Sequence, residues 1–295
     1  MKESNEKISP TAKIVAYLRT FTDIPFAKEI ATKSGAEKTF HELAEESAKS
    51  MIRFAPMWEA RYKVTNRILA ERGITQVLEL AAGLSPRGLA MTVNPDVVYV
   101  TTDLPQILEE EKEIAQAILV KLNSERPNLH FQPANCFSMD SLSTAAAAFN
   151  HDKPLAIITE GLFPYLTRSE REALAGNIHE LLEKYPGLWI TSDVHTKQIL
   201  NVRAQFDENA KKRLTRISSS TETALENNFF EDENEMKQFF EKAGFKMEEC
   251  SYINIFDDLS SVKILKLTLE EIIKIQQGFR ILRTLILTPL NTYSR

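Results

Sequence analysis

The residues best placed to do chemistry lie in two short stretches twenty residues apart. Val77-Leu78-Glu79-Leu80 is an apolar run broken by one acid, and it empties into Ala81-Ala82-Gly83 ahead of Leu84-Ser85-Pro86-Arg87-Gly88. A second run, Val97-Val98-Tyr99-Val100, delivers Asp103. A turn of small residues after a strand lets the backbone come close to a ligand, and an acid at the end of the next strand can accept two hydrogen bonds from a ribose diol. Dinucleotide-binding turns carry three glycines as G-x-G-x-x-G, so that a pyrophosphate sits on a helix N-terminus. Here Ala81 holds the first glycine position and the triplet is absent. The pattern suits a nucleoside without phosphates. Asp103 has a structural reading as well, as the N-cap of a helix opened by Leu104-Pro105, and the two roles are compatible.

Other candidates sit after the later strand-like runs. Asn135, in Ala134-Asn135-Cys136-Phe137, can bond an adenine amino group with Leu104 or Phe137 against the ring, or it is an ordinary loop residue. Cys136 has no basic neighbour in sequence to lower its pKa and reads as a small buried residue. Glu160-Gly161 closes the run Leu155 to Thr159. A carboxylate there meets a cationic ligand, its amino group or the substrate, or it caps backbone. Tyr165 lines a pocket or belongs to the core. Asp193 and His195, two residues apart at a strand end, face one side and are acid–base candidates. The absence of G-x-S-x-G, of H-E-x-x-H and of a Cys/His cluster argues against a hydrolase triad and against a metal site.

The elements that position these residues follow from periodicity. Residues 11–70 read as helical, with Ile14, Val15 and Leu18 recurring at helical spacing and Gly73 as the stop. From residue 74 strands and helices alternate. Strands are expected at 77–80, 97–101, 129–131, 155–159 and 188–191, with a capping box, Thr167 and Glu170, opening a helix over 168–185. Such alternation predicts an α/β fold: a parallel sheet covered by helices on both faces. A polar segment at about 196–228, with Lys211-Lys212-Arg213, is either a helical insertion over the ligand site or a solvated excursion. Residues 245–252 and 262–267 are read as strands, giving an antiparallel last strand. The tail from Leu269 to Leu287 carries apolar positions suited to packing on the domain or on a second copy of the chain, a homodimer.

Composition narrows the class. At 295 residues and 43% hydrophobic content the chain can bury one large core. A net charge of −5 argues against a dedicated nucleic-acid binder. Cys136 and Cys250 are the only cysteines, too few for a disulfide framework. Met1 to Ser9 lacks the apolar core of a signal peptide, and no run has the length of a membrane span, so a cytoplasmic protein is expected.

With these residues in place the chain resembles a class I S-adenosylmethionine-dependent methyltransferase. More narrowly, it resembles the leucine carboxyl methyltransferase family and its bacterial polyketide O-methyltransferase relatives. The resemblance rests on residues 77–88, on Thr102-Asp103-Leu104-Pro105, on Thr159-Glu160-Gly161-Leu162-Phe163-Pro164-Tyr165-Leu166 as the family's "EG…YL" signature, and on Thr11-Ala12-Lys13 with Glu59-Ala60-Arg61-Tyr62 in the helical cap. It implies a Rossmann-like sheet, mostly parallel with an antiparallel last strand. The cap would occupy residues 1–70 and the methyltransferase domain residues 71–295. It implies that Arg61, with Lys13, holds the methionine carboxylate of the cofactor, that Glu79, Ala81 and Gly83 belong to the cofactor loop, and that Asp103 and Leu104 flank the ribose. Asn135, Cys136 and Phe137 fall at the adenine, and Glu160 and Gly161 on the loop after strand four. Ala81 departs from the family's glycine and Asn135 from its usual aspartate.

The implied reaction moves a sulfonium methyl group to an oxygen, with S-adenosylhomocysteine as product. The acceptor would be a small molecule; a protein C-terminus is the alternative. A carboxylate acceptor is already ionised at neutral pH and needs no strong base. For a phenol, His195 becomes the base, and Tyr165 is the other catalytic candidate. Two rival readings are a nicotinamide-dependent oxidoreductase, disfavoured by the missing glycines, and a non-catalytic nucleoside-binding module.

Overall fold

The computed structural model describes residues 9–197 and 228–290. Five helices precede the sheet: α1 (Pro10–Arg19), α2 (Ala27–Lys33), α3 (Ala36–Ala44), α4 (Ala48–Ile52) and α5 (Ala55–Glu71). The alternating part runs β1 (Gln76–Leu80), α6 (Arg87–Met91), β2 (Val98–Thr102), α7 (Pro105–Lys121), β3 (Leu129–Phe131), α8 (Met139–Ala145), β4 (Leu155–Thr159), α9 (Arg168–Lys184) and β5 (Gly187–Thr191). After the undescribed residues come α10 (Glu233–Lys242), β6 (Phe245–Ser251), α11 (Ser260–Ile264), α12 (Leu269–Phe279) and β7 (Arg283–Pro289). Residues 198–227 of the expected insertion, the Lys211-Lys212-Arg213 run among them, lie outside the described residues.

The seven strands are ordered β3-β2-β1-β4-β5-β7-β6. β1 to β5 are parallel, and β7 enters antiparallel to both β5 and β6. β1 and β4 are buried at every position, Gln76 and Glu79 included, as central strands covered on both faces must be. Leu78, Leu80, Ile157 and Trp189 turn to one face, against Leu174 and Ile178 of α9 and Phe240 of α10. Val77, Ala156, Ile158 and Ile190 turn to the other, against Val64 and Ile68 of α5. The chain runs outward from β1 to β2 and β3, then returns to place β4 on the other side of β1. That reversal opens a crevice at the carboxyl ends of β1 and β4.

The capping box forms as its spacing predicts: Thr167 N–H donates to Glu170 Oε2 at 2.8 Å, and Thr167 Oγ1 accepts from Glu170 N–H. One expectation fails near the C-terminus. Residues 262–267 are not a strand but α11 and the turn after it. Buried Glu59 of α5 accepts hydrogen bonds from the backbone of Ser260 and Ser261 and from the Ser260 hydroxyl, so a long-range cap overrides the β propensity of this apolar run. The tail packs on the domain, with Phe279, Leu282 and Ile286 buried, and it does so in two elements. Helix α12 ends at Phe279, and the remainder supplies β7, whose Leu285, Ile286 and Leu287 are buried between β5 and β6. Among the described residues no helix is long and apolar enough to cross a membrane.

A buried acid on α7 has no salt-bridge partner among the described residues. Glu111 on α7 accepts from Thr101 Oγ1 at 2.8 Å through Oε1, while its Oε2 has no hydrogen-bond partner. It borders a small cavity with Ser85, Ile114, Leu129 and Phe131. Burial pushes its carboxyl well above the usual range, against the Thr101 bond, with Glu79 and Asp103 adding to the rise. The folded state therefore keeps a proton that the unfolded chain releases, so the cost appears as pH rises through the ordinary carboxyl pKa and grows until the folded pKa is reached. Glu111→Gln is expected to stabilise the protein at pH 8 and to do close to nothing at pH 3, below the ordinary carboxyl pKa. Thermal melts at the two pH values check this, and an equal shift at both would contradict it.

Candidate functional site

The loop after β1 is shaped by two left-handed residues. Ala81 has φ +53° and Gly83 φ +57°. An alanine in this region costs about 1–2 kcal/mol, so the turn survives the loss of glycine at Ala81 under strain. The Ala82 N–H donates to Thr102 O at 3.0 Å and extends the β1–β2 ladder past the strand ends. The Gly83 N–H donates to Asp103 Oδ2 at 3.0 Å, and Leu104 N–H donates to Oδ1 at 2.8 Å. The two strand ends are thus clamped, and each carboxylate oxygen keeps a further lone pair. Burial raises the Asp103 pKa, opposed by the Leu104 and Gly83 N–H groups. Helix α1 lies over this loop, close enough that a Cβ on Gly83 would sit 3.7 Å from that of Ala12.

Beside this loop, around Glu160 at the end of β4, three arginines converge. Glu160 Oε1 accepts from Arg87 Nη2 at 2.7 Å and from Thr65 Oγ1 at 2.9 Å. Its Oε2 faces Arg61 Nε at 3.4 Å and Arg19 Nη2 at 3.8 Å without a hydrogen bond. Arg61 also stacks on Trp58, 4.6 Å from the ring centroid. Glu79 lies behind, accepting from the Tyr99 hydroxyl and 4.0 Å from Arg87 Nε. Burial pushes the Glu160 pKa up, but Arg87, Arg61 and Arg19 together hold it below the usual carboxylate value. Burial and the neighbouring Arg61 charge lower Arg19 to about 10. Three guanidiniums against two carboxylates leave one positive charge in a nearly dry site. The Nε atoms of Arg19 and Arg61 have no hydrogen-bond partner among the described residues. This donor set suits an added carboxylate.

The other predicted residues are distributed around the crevice. Lys13 reaches Glu110 on α7, at 3.8 Å, rather than the arginines. Asn135 is exposed, its side-chain oxygen accepting from Phe137 N–H at 3.0 Å, and the loop joins the site where Ala134 N–H donates to Asp103 O. Burial pushes the Cys136 thiol up to about 11, which leaves it unsuited to nucleophilic work. Gly161 has φ +80°, turning the chain after Glu160. Tyr165 lies across from α1, its hydroxyl 3.2 Å from Thr11 Oγ1. Asp193 Oδ2 accepts from Leu162 and Phe163 N–H at 2.6 and 3.1 Å, and Oδ1 accepts from Thr191 Oγ1, so this acid holds the β4 loop in place. The His195 ring packs on Phe229, 5.9 Å between centroids.

Sequence reasoning missed Arg19, Thr65 and Arg87. Arg19 and Arg87 carried a signal. Arg19 falls at helical spacing from Ala12 and Ala16, on the side of α1 that packs toward Leu84. Arg87 opens a helix, where the dipole disfavours a cation unless carboxylates compensate it. Among the described residues no group of three or more His, Cys, Asp or Glu is arranged to hold a metal ion.

Residues 16–179, more than half of the chain, match the family model described as leucine carboxyl methyltransferase. An S-adenosyl-L-methionine-dependent methyltransferase assigned in Mycobacterium marinum is 26% identical over 160 residues, covering 54% of this chain and 48% of the relative. One assigned in Mycobacterium bovis is 33% identical over 116 residues, covering 38% and 36%. The chain thus spans about half or less of the length of these relatives. Among solved structures, a DUF574 family protein of Streptomyces avermitilis is similar with a TM-score of 0.55 and 15% identity over 95% of this chain and 96% of that one. A protein assigned as a methyltransferase from Thermobifida fusca gives 0.53 and 17% over 97% and 96%. At such identities these structures share the fold, and nothing finer is taken from them.

Proposed function

The chain belongs to the leucine carboxyl methyltransferase family, and from that premise we propose that it is an S-adenosylmethionine-dependent O-methyltransferase acting on a carboxylate, or a phenol, of a small molecule. The observation that carries this reading is the surplus guanidinium charge around Glu160 at the same crevice as Asp103. A ligand with a ribose diol at one end and a carboxylate at the other satisfies both. Asp103 would accept from the ribose hydroxyls, with Leu104 beside it. The backbone at Ala81 to Gly83 would approach the ligand, braced from behind by Glu79. Arg61 would bond the carboxylate, with Lys13 adding charge from α1, and Asn135, Cys136 and Phe137 would border the base. Glu160 and Gly161 shape the floor between the two ends.

Bound there, S-adenosylmethionine supplies a sulfonium methyl group, an electrophile that an oxygen nucleophile accepts with S-adenosylhomocysteine as the other product. The chain's own contribution is alignment and exclusion of water. Helix α1 covers the loop, and the Thr11–Tyr165 contact joins that cover to the segment after β4. Burial raises the Tyr165 phenol, and Asp193 is occupied by backbone donors, so neither offers a ready base at neutral pH. An acceptor carboxylate, already ionised, needs none. For a phenol acceptor His195 is the remaining candidate.

The test is transfer of isotopically labelled methyl from S-adenosylmethionine to a panel of small carboxylic acids and phenols, followed by alkali. Labelled methanol released by alkali is the expected result and identifies an ester. Alkali-stable product identifies a phenol ether. Binding of NADH with no binding of S-adenosylhomocysteine would overturn the reading, and binding without turnover on any acceptor would leave a nucleoside-binding module.

A further inference from the structure

Arg87 is fully buried, so it cannot touch a ligand in the crevice. Its guanidinium is nonetheless closely held. It donates to Tyr62 O at 3.1 Å, to the Asn66 side chain and to Glu160 Oε1, and it lies over the Tyr62 ring at 4.6 Å. Three of these contacts are to α5, the helix that carries Arg61. Thr65, also on α5, gives Glu160 Oε1 its second donor. With Oε1 taken twice, the carboxylate plane is fixed, and Oε2 is left 3.4 Å from Arg61 and 3.8 Å from Arg19, too loosely placed to bond either.

We propose that Arg87 is a positioning residue: by pinning Glu160 through Oε1 it keeps that carboxylate from pairing fully with Arg61 and Arg19, and so leaves those two guanidiniums available to the carboxylate end of the cofactor. The inference rests on the proposed function. Charge and geometry act together. With Arg87 present, one positive charge is in excess over Glu160 and Glu79. Without it the charges balance, and Glu160 is free to rotate and close charge-assisted hydrogen bonds to Arg61 and Arg19. The receptor for an incoming carboxylate would then be quenched from within, although neither of its arginines had been altered.

The experiment compares two ligands that share the nucleoside and differ at the amino-acid end. S-adenosylhomocysteine has the carboxylate, and 5′-methylthioadenosine lacks it. Calorimetric titration of wild type, Arg87→Met, Arg87→Lys and Thr65→Val gives the selectivity between them. In Arg87→Met, S-adenosylhomocysteine is expected to weaken by about tenfold or more and 5′-methylthioadenosine to stay within about threefold. Arg87→Lys keeps the charge without the fork and should recover part of the loss. Thr65→Val removes the other donor at nearly constant shape and should lower selectivity by about threefold, a measurement that stands if Arg87→Met fails to fold. Equal losses for both ligands, or unchanged selectivity in the folded variants, would overturn the proposal. Failure of wild type to bind S-adenosylhomocysteine would instead overturn the proposed function.

Discussion

Asp103→Ala is expected to weaken S-adenosylhomocysteine binding by about tenfold to several hundredfold, since hydrogen bonds to a charged group contribute about 1.5–3 kcal/mol each and a diol forms up to two. The carboxylate is already oriented without ligand. The Gly83 and Leu104 N–H groups fix both oxygens, so little ordering remains to be done on binding. The same bonds mean that the substitution also releases the cofactor loop from the end of β2. Asp103→Asn separates the two effects, because it retains one oxygen acceptor while losing the charge. An intermediate affinity with an unchanged melting temperature would assign the loss to the diol contact. Calorimetry on the three proteins is the measurement, and an affinity for Asp103→Ala within twofold of wild type would remove this residue from the site.

The largest stability effect is expected at Gly187. It opens β5 directly beside Leu155, the first residue of β4, and a Cβ there would lie 1.9 Å from Leu155 O and 2.8 Å from its carbonyl carbon. Backbone cannot yield as a flexible side chain can, so the two central strands must separate at their start. Leu155 is fully buried, and its N–H bonds Pro186 O at 2.9 Å, so both the ladder and the core are affected. Overpacking ordinarily costs 1–3 kcal/mol, and a clash with main chain stands at or above the top of that range. Gly187→Ala should therefore lower the melting temperature by about 6–12 °C, taking about 3 kcal/mol and roughly 2–4 °C per kcal/mol for a domain of this size. A melt within 2 °C of wild type would show that the strand start relaxes freely. The crevice lies at the opposite, carboxyl ends of the same strands, so any folded Gly187→Ala protein should keep its preference between the two nucleosides.

Much of this architecture was legible because local physics and the fold agree. The short, mainly apolar runs at 77–80 and 155–159 marked strands covered on both faces, and Thr167 with Glu170 marked a helix start that the structure reproduces. Agreement broke down where a distant side chain made the decision. Residues 262–267 are rich in β-branched and apolar types, yet Glu59, two hundred residues away, caps a helix there. The tail from Leu269 to Leu287 offered apolar positions for packing but not their form, and pairing between β5 and β6 makes residues 283–289 a strand.

At the site the division is similar. The chain order strand, small-residue turn, strand, acid is local, so spacing brings the candidates Ala81, Gly83 and Asp103 together, as the Gly83–Asp103 bond and the left-handed φ of Ala81 show. The arginine cluster could not be named in that way. Its members come from α1, α5, α6 and the end of β4, far apart in sequence, and only their packing makes one carboxylate answer to three guanidiniums. Asp193, which spacing offered as an acid–base residue, is drawn into backbone bonds by the loop after β4. The sequence by itself determined the alternation of elements and the nucleoside loop, because hydrophobic period and turn chemistry act over a few residues. The tertiary structure alone decided which buried charges share a partner, because electrostatic balance in a dry site depends on distances that no local pattern encodes.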